Sequence, residues 1–395
     1  MTTSLTRGSA PWPLFFAVLV VFASLSAWVW PQAPKAKAPP RGETAPAAQD
    51  LKSLTQGSVI KDLTTSDGVY LTARYWTPAK PGRDTPAVIL LHMRGRTQSD
   101  WYPFAAFLRD LDCAVVTFDF RGHGESRAVD RDVYQSPKEL AEKGRQRRRR
   151  TTQAPAAERR RAGQLGEKIE QKVEFVSGRD IRYFLDDLDA IKEFLVEQNN
   201  AEKLNLSRMG IVAAGDMACN VALHWLAETE PRTGGRGPFD INALVLVSPS
   251  WGYKGFPLPA ADVLGEGDAA LPILLVCGDA GRSRADAEKM ARAYRLFALE
   301  LESPPDQKIS KEDKKTSKQT TAARLDFYRE GSGWFTVPGK GEGTELFRPP
   351  IAKVDERIAG FLVNKLIESA RGLAWEKRSS SGAPAGFGSR RPVPK

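Results

Sequence analysis

The sequence predicts a doubly wound α/β fold built on a mostly parallel sheet of about eight strands. Three observations carry that expectation. Short, largely apolar runs recur along the chain, at 87–91, 114–118, 210–214, 243–247 and 273–277. Parallel strands covered on both faces have this composition. Between the runs, apolar residues recur at helical spacing. Ahead of them, two β-rich segments (Val59 to Leu63 and Tyr70 to Trp76) flank Asp67-Gly68, a hairpin signal.

Taken in order, the chain begins with a short polar tail, 1–12, and an apolar run, 13–30, ending in Trp28 and Trp30. A helix needs about 20 residues to cross a bilayer core. The run therefore reads as a transmembrane helix, an uncleaved signal anchor, with the tryptophans at the interface. The alternative is a signal peptide cleaved after Ala27, with Leu25 at the −3 position. Lys35, Lys37 and Arg41 follow the span and Arg7 precedes it. A signal-like leader delivers the rest of the chain across the membrane, so the soluble part is expected outside the cytoplasm, in a periplasm or at the cell surface. Residues 31–50 form a Pro/Ala/Lys-rich linker. The folded domain is expected over 51–376, with charged insertions at 127–179 and 301–321 and a disordered basic tail at 377–395.

Within the domain, Ile181, Phe184, Leu185, Leu188 and Ile191 fall on one helical face. So do Ala218, Val221, Ala222 and Trp225, and later Ile358, Phe361 and Leu362. Alternation of such helices with buried strands gives βα units.

Hydrophobic residues make up 41% and charged residues 27%, which suits a globular chain rather than a disordered one. The net charge is +10. Much of it lies in Arg145, Arg147 to Arg150 and Arg159 to Arg161, a solvated loop composition or a site for an anionic surface. No nucleic-acid motif accompanies it. The three cysteines, Cys113, Cys219 and Cys277, lie in or beside apolar runs and read as buried thiols. No Cys/His cluster has metal-ligand spacing, and no cofactor is implied.

The stretch Ala87-Val-Ile-Leu-Leu-His92 is followed by Ala114-Val-Val-Thr-Phe-Asp119-Phe-Arg121-Gly122-His123-Gly124-Glu125-Ser126. Together they resemble the α/β-hydrolase superfamily, in its lipase/esterase and serine aminopeptidase-like branch. The resemblance runs from about Val59 to Leu366 apart from the insertions. It implies three catalytic loops at the carboxyl ends of strands: a Gly-x-Ser-x-Gly elbow, an acid loop and a histidine loop. Here the elbow reads Ala214-Gly215-Asp216-Met217-Ala218, so Asp216 stands at the serine position. The acid loop reads Gly278-Asp279-Ala280-Gly281, so Gly281 stands at the acid position, and Asp279 is a possible shifted acid. In Gly339-Lys340-Gly341-Glu342-Gly343, Glu342 stands at the histidine position. His92, Met93 and Met217 map to the oxyanion loop, with Met93 where glycine is usual. His123 belongs to the Arg-Gly-His-Gly turn. His224 lies roughly 12 Å along the helix after Asp216, at about 1.5 Å per residue, and is expected to be remote from the cleft.

A serine hydroxyl needs a base, and that base needs an orienting acceptor. With all three roles replaced, the first reading is a membrane-tethered pseudo-hydrolase that binds a small molecule or a protein. The second is an active hydrolase of ester, epoxide or haloalkane type. In it Asp216 is the carboxylate nucleophile and Glu342 a base, or the two carboxylates share a proton or hold a cation. The third is an envelope-associated structural protein that binds anionic surfaces through the Arg-rich insertion.

Overall fold

Side chains alternate along each central strand, and this divides the apolar residues into two cores. Ile89, Val116, Ile211, Leu244 and Leu275 enter one core. Their neighbours Val88, Val115, Val212, Val245 and Leu274 enter the other. The strands are therefore sandwiched between helical layers, as continuous apolar runs demand.

The computed structural model describes residues 54–135, 168–170, 181–229, 240–254, 256–259, 264, 270–280, 282–299, 332–338, 341–347 and 354–378. In chain order the elements are β1 (Ser58–Thr64), β2 (Tyr70–Trp76), β3 (Ala87–Leu91), α1 (Tyr102–Asp110), β4 (Ala114–Phe118), β5 (Ala128–Asp130), β6 (Lys168–Glu170) and α2 (Ile181–Asn200). After these come β7 (Met209–Ala214), α3 (Gly215–Thr229), β8 (Ile241–Val247), β9 (Ile273–Gly278), α4 (Arg282–Ala293), β10 (Phe297–Ala298), β11 (Gly333–Val337) and α5 (Val354–Val363). The main sheet has nine strands in the order β1-β2-β4-β3-β7-β8-β9-β11-β10. Strand β2 is antiparallel to both β1 and β4, and the remaining pairs are parallel. Helices α2 and α3 contribute Leu188 and Trp225 to the first core. Helices α1 and α5 contribute Leu108 and Phe361 to the second.

β3 pairs with β4 on one side and β7 on the other, so the loops after β3 and β7 diverge to opposite faces. Open α/β sheets form their clefts at such a switch point, outside the carboxyl ends of the strands.

The sheet has more strands than the apolar runs foretell. β11 alternates between buried and half-buried residues, and β10 is a two-residue edge with both residues exposed, so neither leaves a continuous apolar signature. The charged stretch after Arg127 opens with an ordered strand. Buried β5 pairs antiparallel with β6 and bridges Val69 through Val129. The packed chain also continues past Glu376. Arg378 pairs with Asp240 at 2.7 Å, and its amide donates to Asn200 Oδ1 at 2.9 Å. The segment 13–30, the arginine cluster of 145–161 and the insertion 301–321 lie outside the described residues. Among the described residues, no helix is long and apolar enough to cross a membrane. The three cysteines are free and buried, and burial pushes their thiol pKa values up.

The turn after β4 is held by a buried guanidinium. Arg121 is 1% exposed. Its Nε donates to Asp187 on α2 at 2.7 Å, and its two terminal nitrogens donate to Asp67 of the β1–β2 turn at 2.6 and 3.1 Å. Burial pushes the Asp67 carboxyl up, but the charge and hydrogen bonds of Arg121 outweigh it and hold that group below the usual range. In the same turn Gly124 has φ +46°, and a Cβ there would enter the Asp119 carboxylate. That carboxylate accepts from the amides of Gln98 (2.8 Å) and Glu125 (3.1 Å).

Replacing one partner of a buried ion pair strands the other. Arg121→Met is expected to cost about 3–5 kcal/mol, and Asp187→Asn added to it should restore part of the loss. Urea denaturation of the two single variants and the double variant measures this. Additive losses would deny the coupling.

Candidate functional site

Each parallel strand ends at the same edge of the sheet, and five of the loops at that edge surround a cleft of about 860 Å³. β3 delivers Met93 and Arg94, β7 delivers Gly215 and Asp216, and β8 delivers the segment 248–254. β9 leads to Arg282 at the start of α4, and β11 leads to Glu342.

The turn from β7 into α3 is a tight elbow. Gly215 has φ +82°, and a Cβ there would lie 2.6 Å from Met93 Cβ, so only glycine fits. The residues around the elbow are buried, yet Asp216 is exposed and lines the cleft. Its Oδ1 accepts from the amide of Met217 at 2.7 Å. In a hydrolase elbow, the amide after the nucleophile is the donor that stabilises the oxyanion. Here a carboxylate already occupies it.

Glu342 is exposed on the opposite loop, which is fixed from two sides. The amide of Gly343 donates to Ser248 Oγ at 2.9 Å, and the Thr344 hydroxyl donates to Asp100 at 3.0 Å. Ser248 itself is buried at the end of β8 with φ +51°, a conformation rare for a residue with a side chain. Met93 lies between the two carboxylate loops. A Cβ on Gly343 would stand 2.7 Å from its sulfur, just as one on Gly215 would stand 2.6 Å from its Cβ. Asp216 and Glu342 thus sit on loops that touch the same side chain.

Asp279 is placed differently. Its amide donates to the carbonyl of Val337 at 2.8 Å, its carbonyl accepts from Arg284 at 2.9 Å, and it does not line the cleft. Gly281 lies outside the described residues.

All three histidines are engaged elsewhere. His92 is fully buried; its Nε2 accepts from the Phe120 amide at 3.0 Å, so Nδ1 carries the proton toward the Met93 carbonyl at 2.8 Å. Burial lowers its pKa to about 4. His123 Nδ1 lies 3.1 Å from the Arg121 carbonyl, and burial lowers its pKa as well. His224 is nearer the cleft than its distance along α3 suggests, because Phe256 and Pro257 lie against it. Its Nε2 is 2.8 Å from the Pro257 carbonyl and its ring packs on Phe256, two residues of the cleft wall. Burial lowers its pKa to about 4.

The loop after β8 supplies Ser248, Trp251, Tyr253 and Lys254, and none of these was singled out from the sequence. A signal existed: Ser248-Pro-Ser-Trp-Gly-Tyr follows a buried strand and combines turn residues with aromatics. Among the described residues, no group of three or more His, Cys, Asp and Glu is arranged to hold a metal ion.

A family model described as the alpha/beta hydrolase family matches residues 88–341. No curated protein matches the chain. Among solved structures, an esterase of Pyrococcus furiosus is similar at 15% identity, over 83% of this chain and 99% of that one, with a TM-score of 0.44. A serine hydrolase without a lid from Xanthomonas campestris aligns at 17% identity over 60% of this chain and 81% of that one (TM-score 0.33). A mutant haloalkane dehalogenase from Agrobacterium tumefaciens aligns at 13% over 50% and 44%, with a TM-score of 0.28, so the chain spans less than half of it.

Two outcomes are expected from this geometry. Gly215→Ala forces a side chain into a left-handed turn and against Met93, and should cost about 1–3 kcal/mol in thermal or urea unfolding. Neutral behaviour would mean that the elbow relaxes. His92 has a folded pKa of about 4 against an ordinary 6.5, so unfolding takes up a proton between those values. Its share of the stability is present above pH 6.5 and is lost as the pH falls toward 4. Unfolding midpoints measured across that window should fall more steeply for the natural chain than for His92→Gln.

Proposed function

The chain belongs to the alpha/beta hydrolase family, and from that premise we propose that this member binds a ligand in its cleft without hydrolysing it. The observation that carries the reading is the 2.7 Å contact between Asp216 Oδ1 and the Met217 amide. Acyl transfer develops negative charge on the substrate oxygen, and preorganised amides must be free to receive it. A fixed carboxylate on that amide removes a donor and places like charge at the same point.

The remaining roles support the same reading. Release of an ester formed on Asp216 needs a base to activate water. The histidines make structural contacts through their ring nitrogens, and Glu342 takes the histidine position. Met93 fills the space between the elbow and the Glu342 loop. The apolar run at 13–30 supports a membrane tether, with the domain held on the extracytoplasmic side.

The test is turnover of short-chain aryl esters, epoxides and haloalkanes by the purified full chain in detergent, with Asp216→Ala as the control. Rates indistinguishable from the control are expected on every substrate. Turnover that disappears in Asp216→Ala would overturn the reading and make Asp216 a nucleophile, with Glu342 the next residue to replace.

A further inference from the structure

Opposite charges line the cleft without pairing. Arg94 and Lys254 are cationic, Asp216 and Glu342 anionic, and all four are exposed cleft residues. Among the described residues none of them forms an ion pair. The other charged pair of the cleft, Arg282 and Asp286, approaches to 3.7 Å.

Asp216 and Glu342 adjoin Gly215 and Gly343, which pack on the two ends of the Met93 side chain. The Asp216 carboxylate is fixed through one oxygen by the Met217 amide, which leaves the other for a ligand. The Lys254 ammonium stands 5.4 Å over the Tyr253 ring. The Tyr253 hydroxyl feels the charges of both Arg94 and Asp216. Trp251, also in the cleft lining, is 39% exposed, and its ring already receives the Lys289 ammonium at 4.2 Å.

These charges select among ligands. A simple cation would be drawn to the carboxylates and repelled by Arg94 and Lys254, and a simple anion would meet the reverse. Calcium takes 6–8 oxygens, and two carboxylates fall short of that. A molecule with both charges satisfies groups of both signs, and its apolar part can lie on exposed aromatic surface.

We propose that the cleft binds a zwitterionic amino acid or short peptide, its ammonium between Asp216 and Glu342, its carboxylate against Arg94 and Lys254, and its side chain on Trp251 and Phe256. The assignment rests on the reading of the cleft as a site that binds without hydrolysing, and it names the ligand class.

The test titrates the full chain in detergent with leucyl-phenylalanine, its N-acetyl form and its C-terminal amide, followed by tryptophan fluorescence and calorimetry. The same samples are assayed by chromatography for peptide cleavage. The free dipeptide should bind about tenfold or more tighter than either blocked form. Asp216→Asn with Glu342→Gln should erase the penalty for acetylation. Arg94→Gln with Lys254→Gln should erase the penalty for amidation, and circular dichroism checks that both variants fold. Equal affinity for the three peptides, variants that keep both penalties, or no binding up to about 10 mM would overturn the assignment. Cleavage of a bound dipeptide would leave the assignment standing and sink the non-hydrolytic reading. Absence of both binding and cleavage would do the opposite.

Discussion

The buried guanidinium of Arg121 ties together three parts of the chain that are far apart in sequence: the β1–β2 turn at Asp67, the turn after β4, and α2 at Asp187. An isolated charge in that position would be prohibitive, and the two carboxylates make it tolerable. Once it is fixed, the adjacent backbone is fixed as well. The amide of Phe120 donates to His92, His92 donates to the carbonyl of Met93, and Met93 packs on Gly215 and Gly343. A charge cluster below the cleft is thereby connected, contact by contact, to both loops that carry the cleft's carboxylates.

That chain of contacts gives histidine a structural role. His92 must be neutral to accept from one amide and donate to a carbonyl, and burial in an apolar environment keeps it so. His224 is similarly bound behind the cleft wall. Imidazoles held neutral by burial and engaged in such hydrogen bonds support loops well and transfer protons poorly. The histidines thus build loops, while the exposed titratable groups at the end of β7 and after β11 are the carboxylates of Asp216 and Glu342.

Most of the sheet was legible in the sequence, because buried parallel strands have no polar face and leave unbroken apolar runs. The hairpin and the Asp119–Ser126 turn were legible too, through glycines that the backbone needs. β11 was not, since its alternation resembles a half-exposed segment, and β10 is too short to carry a pattern. At the cleft, Asp216 and Glu342 could be located by their places after strands. Met93 could be flagged only as a departure from glycine, and that it fills the space between two loops depends on three-dimensional proximity. The β8 loop was missed because its residues carry no single chemical motif. Arg94 and Lys254 were missed because an unpaired charge cannot be distinguished from a paired one until the neighbours are known.

An aspartate at the elbow alters the cleft in two ways at once. It consumes the amide that would stabilise an oxyanion, and it adds a fixed negative charge. Glu342 brings a second carboxylate into the same cleft, and Arg94 and Lys254 bring positive charge into it. A hydrolytic cleft needs free donors where negative charge grows during the reaction. A cleft that recognises a molecule already carrying both charges needs the reverse, with charges that are present before the ligand arrives and do not neutralise one another. The arrangement at 94, 216, 254 and 342 meets the second requirement. Asp216 and Glu342, which the proposed reading takes out of catalysis, are the groups it assigns to recognition of the ligand's positive charge.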